Sequence, residues 1–349
     1  MRSLTRDSDD SNRGAPMRKI GFGFLDRPSV PEQLRLARKA EALGYDSLWV
    51  TETRLARDAI SVLGAMAAST ARIRLGTAIV NSWTRGPALM AVTFATLDNL
   101  APGRMCAGLG AYWDPLAWKQ GIERRRPVAQ MRDYVGVLRR LLALEEGVTF
   151  ESDLIQVRDL TLDLGHGDER VPPRVKIGIG ATGPKMMELT GEIADIALLN
   201  GILPPSYTRT ALERIAVGAA RAGRSPDDVE KLQLVNISMN ADREKARFDA
   251  KRLVTQYLGQ QPHFAKALAY PEDRLAELVA VMGGWPPRPG GVEEAMALVD
   301  DALVDEVIAH GTPQECVARA RQWMDAGLDQ LVLIPLSRNH DEILEAFAP

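Results

Sequence analysis

The segment Ile20-Gly21-Phe22-Gly23-Phe24-Leu25-Asp26-Arg27-Pro28 decides between two architectures. Ile20–Leu25 reads as a β-strand. A helical pattern over Pro31–Leu43 follows, with Leu34, Ala37 and Ala40/Glu41 at helical spacing and Gly44 as its stop. A doubly wound open sheet normally leaves its first strand through Gly-x-Gly-x-x-Gly. Here the strand ends in Leu25-Asp26-Arg27-Pro28 instead, which favours a closed barrel. The alternation then continues along the chain. Strand-like runs occupy Ser47–Thr51, Ile73–Ala78, Arg104–Leu109, Val175–Ile179, Ala194–Leu198, Leu232–Met239 and Gln330–Pro335. Between them lie helical runs at Ala59–Ser69, Ala88–Leu100, Pro127–Leu144, Pro184–Ile193, a helix capped by Ser206 and running to Ala222, Arg243–Tyr257, and Pro313–Ala326 capped by Thr312. This pattern predicts an α/β fold, a (β/α)8 TIM barrel with insertions after strand 4, helix 4 and helix 7. Val148–Phe150 and Leu154–Val157 predict a small hairpin outside the repeat. Residues 259–302 break the rhythm with Gly283-Gly284-Trp285-Pro286-Pro287 and Pro289-Gly290-Gly291. The domain reading is a disordered leader over residues 1–17 and one barrel domain over 18–349, with its largest insertion at 259–302.

Composition narrows the function classes. The chain has 349 residues, 46% of them apolar and 26% charged, and a net charge of only -3. That balance gives no reason to expect a nucleic-acid partner. No apolar run is long enough to span a membrane. Residues 1–17 carry charges and no apolar core, so they do not read as a signal peptide. Cys106 and Cys316 are too few for a disulfide framework and read as buried thiols in a cytoplasmic protein. The four histidines show no metal-ligand spacing, and His166 sits in a Gly-His-Gly loop that reads as exposed. The expected partner is a small-molecule substrate.

In a barrel of this kind the active site lies at the C-terminal ends of the strands. Arg174–Ile179 feeds the turn Gly180-Ala181-Thr182-Gly183-Pro184-Lys185, which opens a helix. Free N–H groups and the positive end of a helix dipole make such a turn an anion site, with phosphate the usual anion. The same turn also reads as a connection whose glycines serve geometry alone. Glu52, after the second strand, is either an acid, base or hydrogen-bond acceptor at the mouth, or a solvated loop residue. Asn81, Thr84 and Arg85 follow the third strand, and Arg85 reads as a surface charge or a substrate contact. Tyr112, Trp113, Asp114 and Trp118 follow the fourth, where aromatics stack on a flat ligand or plug the rim. No hydrolase constellation is evident, which favours a bound cofactor carrying the chemistry.

Four stretches resemble the luciferase-like superfamily of flavin- and deazaflavin-dependent barrels. They are Ala42–Val50, Leu75–Pro87, Pro102–Gly110, and Gly180–Lys185 with Glu192-Ile193-Ala194-Asp195. Trp118–Glu123, Arg126-Pro127 and Gly183-Pro184-Lys185-Met186 are similar to methylene-tetrahydromethanopterin reductases. Phe22–Asp26 and the insertion resemble phthiodiolone-type ketoreductases. The resemblance implies bound coenzyme F420, whose C5 carries a hydride to or from a C=O, C=C or C=N bond of a small or lipid-like substrate. The alternative it implies is FMN in a monooxygenase fed by a partner reductase. Implied cofactor contacts are Glu52, Thr77, Ala78, Ile79, Asn81, Gly110, Gly180, Ala181, Thr182, Gly183, Pro184 and Lys185. Glu52, Asp26 and Asp114 are the implied catalytic residues. A non-prolyl cis peptide is implied at Ala78–Ile79, and a homodimer through the second and third helices. The chain departs from the reductases at Gly23, where they carry glutamate, and at Glu52-Thr53, where they usually carry Asp-His. It departs from the sugar-phosphate dehydrogenases at Thr53 and near Trp113, where those enzymes use a histidine and a glutamate.

Overall fold

The computed structural model describes residues 19–164 and 171–349, so the expected leader and the His166 loop lie outside the described residues. Eight parallel strands form the barrel: β1 Ile20–Phe24, β2 Ser47–Val50, β3 Arg74–Thr77, β4 Met105–Gly110, β5 Lys176–Ala181, β6 Ile196–Leu199, β7 Glu230–Met239 and β8 Gln330–Pro335. Each pairs with the next, and β8 pairs with β1 through Leu331 opposite Ile20, which closes the ring. Eight helices cover it: α1 Val30–Ala42, α2 Ala59–Ser69, α3 Pro87–Leu100, α4 Pro127–Leu142, α5 Pro184–Ile193, α6 Pro205–Arg221, α7 Arg243–Gln260 and α8 Pro313–Met324. Strands buried on both faces read as near-continuous apolar runs, which is why these segments were legible. Among the described residues no helix is long and apolar enough to cross a membrane.

The barrel interior is filled unevenly. Trp49, Ile196, Leu198, Leu232, Val332 and Ile334 supply bulk, with Ala78 and Cys106 beside them. Glycines on β1, β3, β4 and β5 leave room for that bulk. A Cβ at Gly76 would lie 2.4 Å from Trp49 Cζ3, one at Gly23 2.3 Å from Ile334 Cδ1, and one at Gly178 3.1 Å from Leu198 Cδ1. Gly23, where reductase-like relatives are expected to carry glutamate, therefore has its side-chain space taken by Ile334. The N-terminal end of the barrel is closed by polar groups. Arg74 bonds Glu230 at 2.6 and 2.9 Å and Gln330 at 2.9 Å, and its guanidinium lies 5.9 Å from the Trp49 ring centroid. Ser47 joins this layer by donating to Gln330 and accepting from Trp49 Nε1.

The structure corrects the sequence reading in several places. The third strand ends at Thr77 and resumes as Val80–Asn81, which pairs with β4. Helix α6 is capped by Pro204, and Ser206 lies inside its first turn, because two successive prolines set the start of the helix. Ala309–Gly311 adds a short strand beside the end of β7, too brief to show a pattern. The hairpin is present as Val148–Glu151 paired antiparallel with Gln156–Leu160. Residues 259–302 hold short helices at Pro262–Ala267, Glu272–Met282 and Gly291–Ala295. They build a separate apolar cluster on α7, in which Leu278, Met282 and Ala295 meet Ala250, Val254 and Leu258. Cys106 and Cys316 are both buried free thiols, each pushed up to about 12 by burial.

Gly76→Ala is expected to destabilise the barrel by about 1–3 kcal/mol through overpacking against Trp49. Gly136→Ala, on an exposed turn of α4 with nothing within 4 Å of its Cβ, is expected to gain roughly 0.5–1 kcal/mol. Urea denaturation of the two variants beside the parent checks both signs.

Candidate active site

The ends of β2, β3, β4 and β5 converge at the C-terminal mouth. Glu52 leaves β2 with its backbone N–H on Ile79 O at 3.3 Å. Its carboxylate is held by Arg85 through two parallel bonds of 2.8 Å. Arg85 also bonds Asp58, which caps α2 through Ser61 N. The Glu52 and Arg85 side chains keep 14% and 20% of their exposure, so this ion pair is shielded on most sides. Glu52 hydrogen bonding raises Arg85 above its ordinary value. The surface-charge reading of Arg85 is therefore wrong: the loop after β3 folds it back onto Glu52. Asn81 makes that loop, its Oδ1 accepting from the Trp83 and Thr84 N–H groups, and Tyr134 Oη donates to Arg85 O.

The link from β3 to Val80 contains a cis peptide at Ala78–Ile79. Ile79 projects across the top of the barrel, into space that the glycines of the neighbouring strands leave open. A Cβ on Gly110 would come within 2.3 Å of Ile79 Cδ1, and one on Gly180 within 3.0 Å of its Cγ2. Beneath it, Thr77 Oγ1 donates to Gly108 O and accepts from Gly108 N, tying β3 to β4.

The turn from β5 into α5 forms the next wall. Gly183 is the N-cap, Pro184 opens the helix, and no side chain caps the first turn. Such a start leaves N–H groups free for an outside acceptor. Thr182 O accepts from Tyr207 Oη, which fixes the turn from behind. Lys185 is exposed and forms no ion pair among the described residues.

The far wall comes from the β4 loop and the insertion. Asp114 is paired with Arg124 at 2.8 Å and half exposed. Trp113 meets Trp285 edge-on at 6.3 Å, and Lys119 Nζ donates to Trp285 O, so the two loops touch across the rim. Tyr112 lines the cavity, with its phenol raised by burial and further by the Glu52 charge. His263 faces the same space. It sits at the exposed rim, where the surrounding atoms and the Arg124 charge hold its pKa below the ordinary histidine value.

The result is one cavity of about 740 Å3 lined by Glu52, Ala78, Ile79, Gly110, Asp114 and the whole turn from Gly180 to Lys185. Three expected site residues do not line it. Thr77 and Asn81 are buried and serve the backbone around the bulge. Asp26 bonds Arg54 at 2.6 Å and faces a neighbouring cavity. The residues missed in sequence are Arg85 as the Glu52 partner, and His263, Lys266 and Tyr257, which the insertion and the end of α7 bring to the mouth. A histidine in the aperiodic 259–302 stretch was the one available signal.

Comparison with known proteins agrees with this geometry. The model of the luciferase-like monooxygenase family matches residues 5–330. The 5,10-methylenetetrahydromethanopterin reductase of Methanolobus tindarius is 30% identical over 337 residues, covering 93% of this chain and 97% of its own. The F420-dependent glucose-6-phosphate dehydrogenase of Nakamurella multipartita is 29% identical, covering 91% and 90%. The structure of the coenzyme F420-dependent tetrahydromethanopterin reductase from Methanopyrus kandleri superimposes with a TM-score of 0.80 at 22% identity, over 96% of this chain and 98% of that one. Barrel, bulge, glycine turn and matching family model lead to one conclusion: this chain is an oxidoreductase of the luciferase-like family.

Proposed function

We propose that the protein transfers a hydride between C5 of coenzyme F420 and a C=O, C=C or C=N bond of an organic substrate. The observation that carries this reading is the convergence of the uncapped Gly180–Lys185 turn, the Ala78–Ile79 bulge and the Arg85-held Glu52 on one cavity. The names of the relatives, F420-dependent by description, support it.

The residues present fit such a cofactor. The α5 N-terminus and Lys185 offer a phosphate both N–H donors and positive charge. Ile79 offers an apolar support for a ring, and Glu52 an acceptor at its edge. When bound, the deazaflavin supplies a two-electron hydride carrier. The chain's own residues do the rest. Both oxygens of Glu52 are engaged by Arg85, which suits orientation better than proton abstraction. His263 and the Tyr112 phenol, whose Oη accepts from Gln120, are cavity groups able to exchange a proton with a substrate oxygen or nitrogen. Trp113 and Trp285 restrict water and favour an apolar substrate.

We also propose a homodimer through α2 and α3. Leu89, Val92 and Leu100 are 57%, 47% and 50% exposed along one face of α3. The neighbouring α2 face carries Gly64, Ala65 and Ala68, small enough for close approach. Exposed apolar side chains beside small residues suit an interface between copies of the chain.

Purified protein is expected to quench deazaflavin fluorescence at micromolar concentrations and to bind it in preference to FMN. Failure to bind, or tight FMN binding with oxygen consumption that exceeds the autoxidation of reduced FMN alone, rejects the F420 reading. Glu52→Gln is expected to reduce turnover roughly tenfold or more, the scale of one charge-assisted bond. Unchanged turnover removes Glu52 from the chemistry. Light scattering is expected to give twice the chain mass for the parent and the single mass for Leu89→Glu/Val92→Glu; a monomeric parent rejects the dimer.

A further inference from the structure

A second cavity of about 780 Å3 opens at the mouth on the opposite side from the glycine turn, between the loops that follow β1, β7 and β8. Of its lining residues the sequence marked Asp26 as a candidate catalytic group, and the cofactor reading does not use this space. Leu25 lines both cavities. The Arg54–Asp26 pair lines the second cavity, and the Arg54 guanidinium lies 5.9 Å from the centroid of the Tyr257 ring, which lines the first.

The charge lining this space is unequal. Five cationic side chains face three carboxylates. Asp26 is matched by Arg54 at 2.6 Å and Asp249 by Lys245 at 2.9 Å. Glu342 accepts from Asn339 Nδ2, and Arg252 pairs with Glu293 outside the lining. Burial holds His340 below the ordinary histidine value. Arg27, after β1, and Arg338, after β8, remain with no carboxylate partner among the described residues. Two guanidinium groups facing a concave space and left without counterions attract an oxyanion, which each can hold by a planar two-bond fork. In barrels of this fold the loops after strands 7 and 8 are a recurrent place for phosphate.

We propose that this second cavity is an anion-binding substrate subsite. It takes the phosphate or carboxylate end of a substrate whose reducible end lies in the main cavity, with the substrate passing over Leu25 and the Arg54–Asp26 pair. Arg27 and Arg338 hold the anion and thereby set which substrates reach the reaction centre. The proposal rests on the deazaflavin reading for the direction of the substrate, and on the second cavity alone for the anion.

The test is calorimetric titration of inorganic phosphate, and in parallel acetate, into protein saturated with deazaflavin, where the glycine turn is already filled. One further binding event is expected, weakened roughly tenfold or more in Arg27→Ala/Arg338→Ala. Both residues are exposed, so the double variant retains its fold. Tighter phosphate than acetate assigns a phosphate ester; the reverse assigns a carboxylate. Absence of a further event, or an event of equal affinity in the double variant, overturns the subsite. If the deazaflavin itself does not bind, that reading fails separately. The same titrations on cofactor-free protein then compare the double variant with Lys185→Ala. Loss in the former and not the latter supports the subsite, and the opposite pattern overturns it.

Discussion

Closing eight strands into a ring leaves an interior that must be filled without gaps or clashes, and everything at the mouth depends on how that is done here. Bulky side chains project from β2, β6, β7 and β8, and glycines face them from β1, β3, β4 and β5. Trp49 occupies the space that Gly76 vacates, and Ile334 that of Gly23. Close packing leaves little freedom to exchange these partners one at a time. The same device continues to the top of the barrel, where Gly110 and Gly180 make room for Ile79. The floor of the site is thus an extension of the core.

The electrostatics of the site follow a similar economy of parts. Each carboxylate singled out at the strand ends has its own arginine: Glu52 with Arg85, Asp26 with Arg54, Asp114 with Arg124. Glu52, shielded and held by two parallel bonds from Arg85, is the most firmly oriented of the three. Excess positive charge is left at the turn bearing Lys185 and at the rim bearing Arg27 and Arg338. The two positive regions flank the cavity that holds Ile79 and Glu52.

The insertion at 259–302 completes one wall of the cavity. It packs on α7 through its own apolar cluster and delivers His263 and Lys266 to the mouth, while Trp285 reaches Trp113. At the place where related reductases are expected to carry a histidine after the second strand, this chain has Thr53. An imidazole nevertheless faces the cavity, supplied from the other side.

Local pattern alone determined the alternation of strands and helices, the barrel class, and the placement of Glu52, Ile79 and Gly180–Lys185 at strand ends. Those features are legible because they repeat with the period of a strand or helix, or sit at a fixed position relative to one. The family resemblance rested on the same segments, and the family model agrees with it. Only the tertiary structure decided that Arg85 belongs to Glu52, that Asp26 faces a different cavity, that Thr77 and Asn81 serve the backbone, and that His263 reaches the site. Those pairings join residues 33 positions apart in one case and strand ends to an aperiodic insertion in another. No local periodicity encodes them, because they exist only once the ring has closed and brought its loops to one mouth.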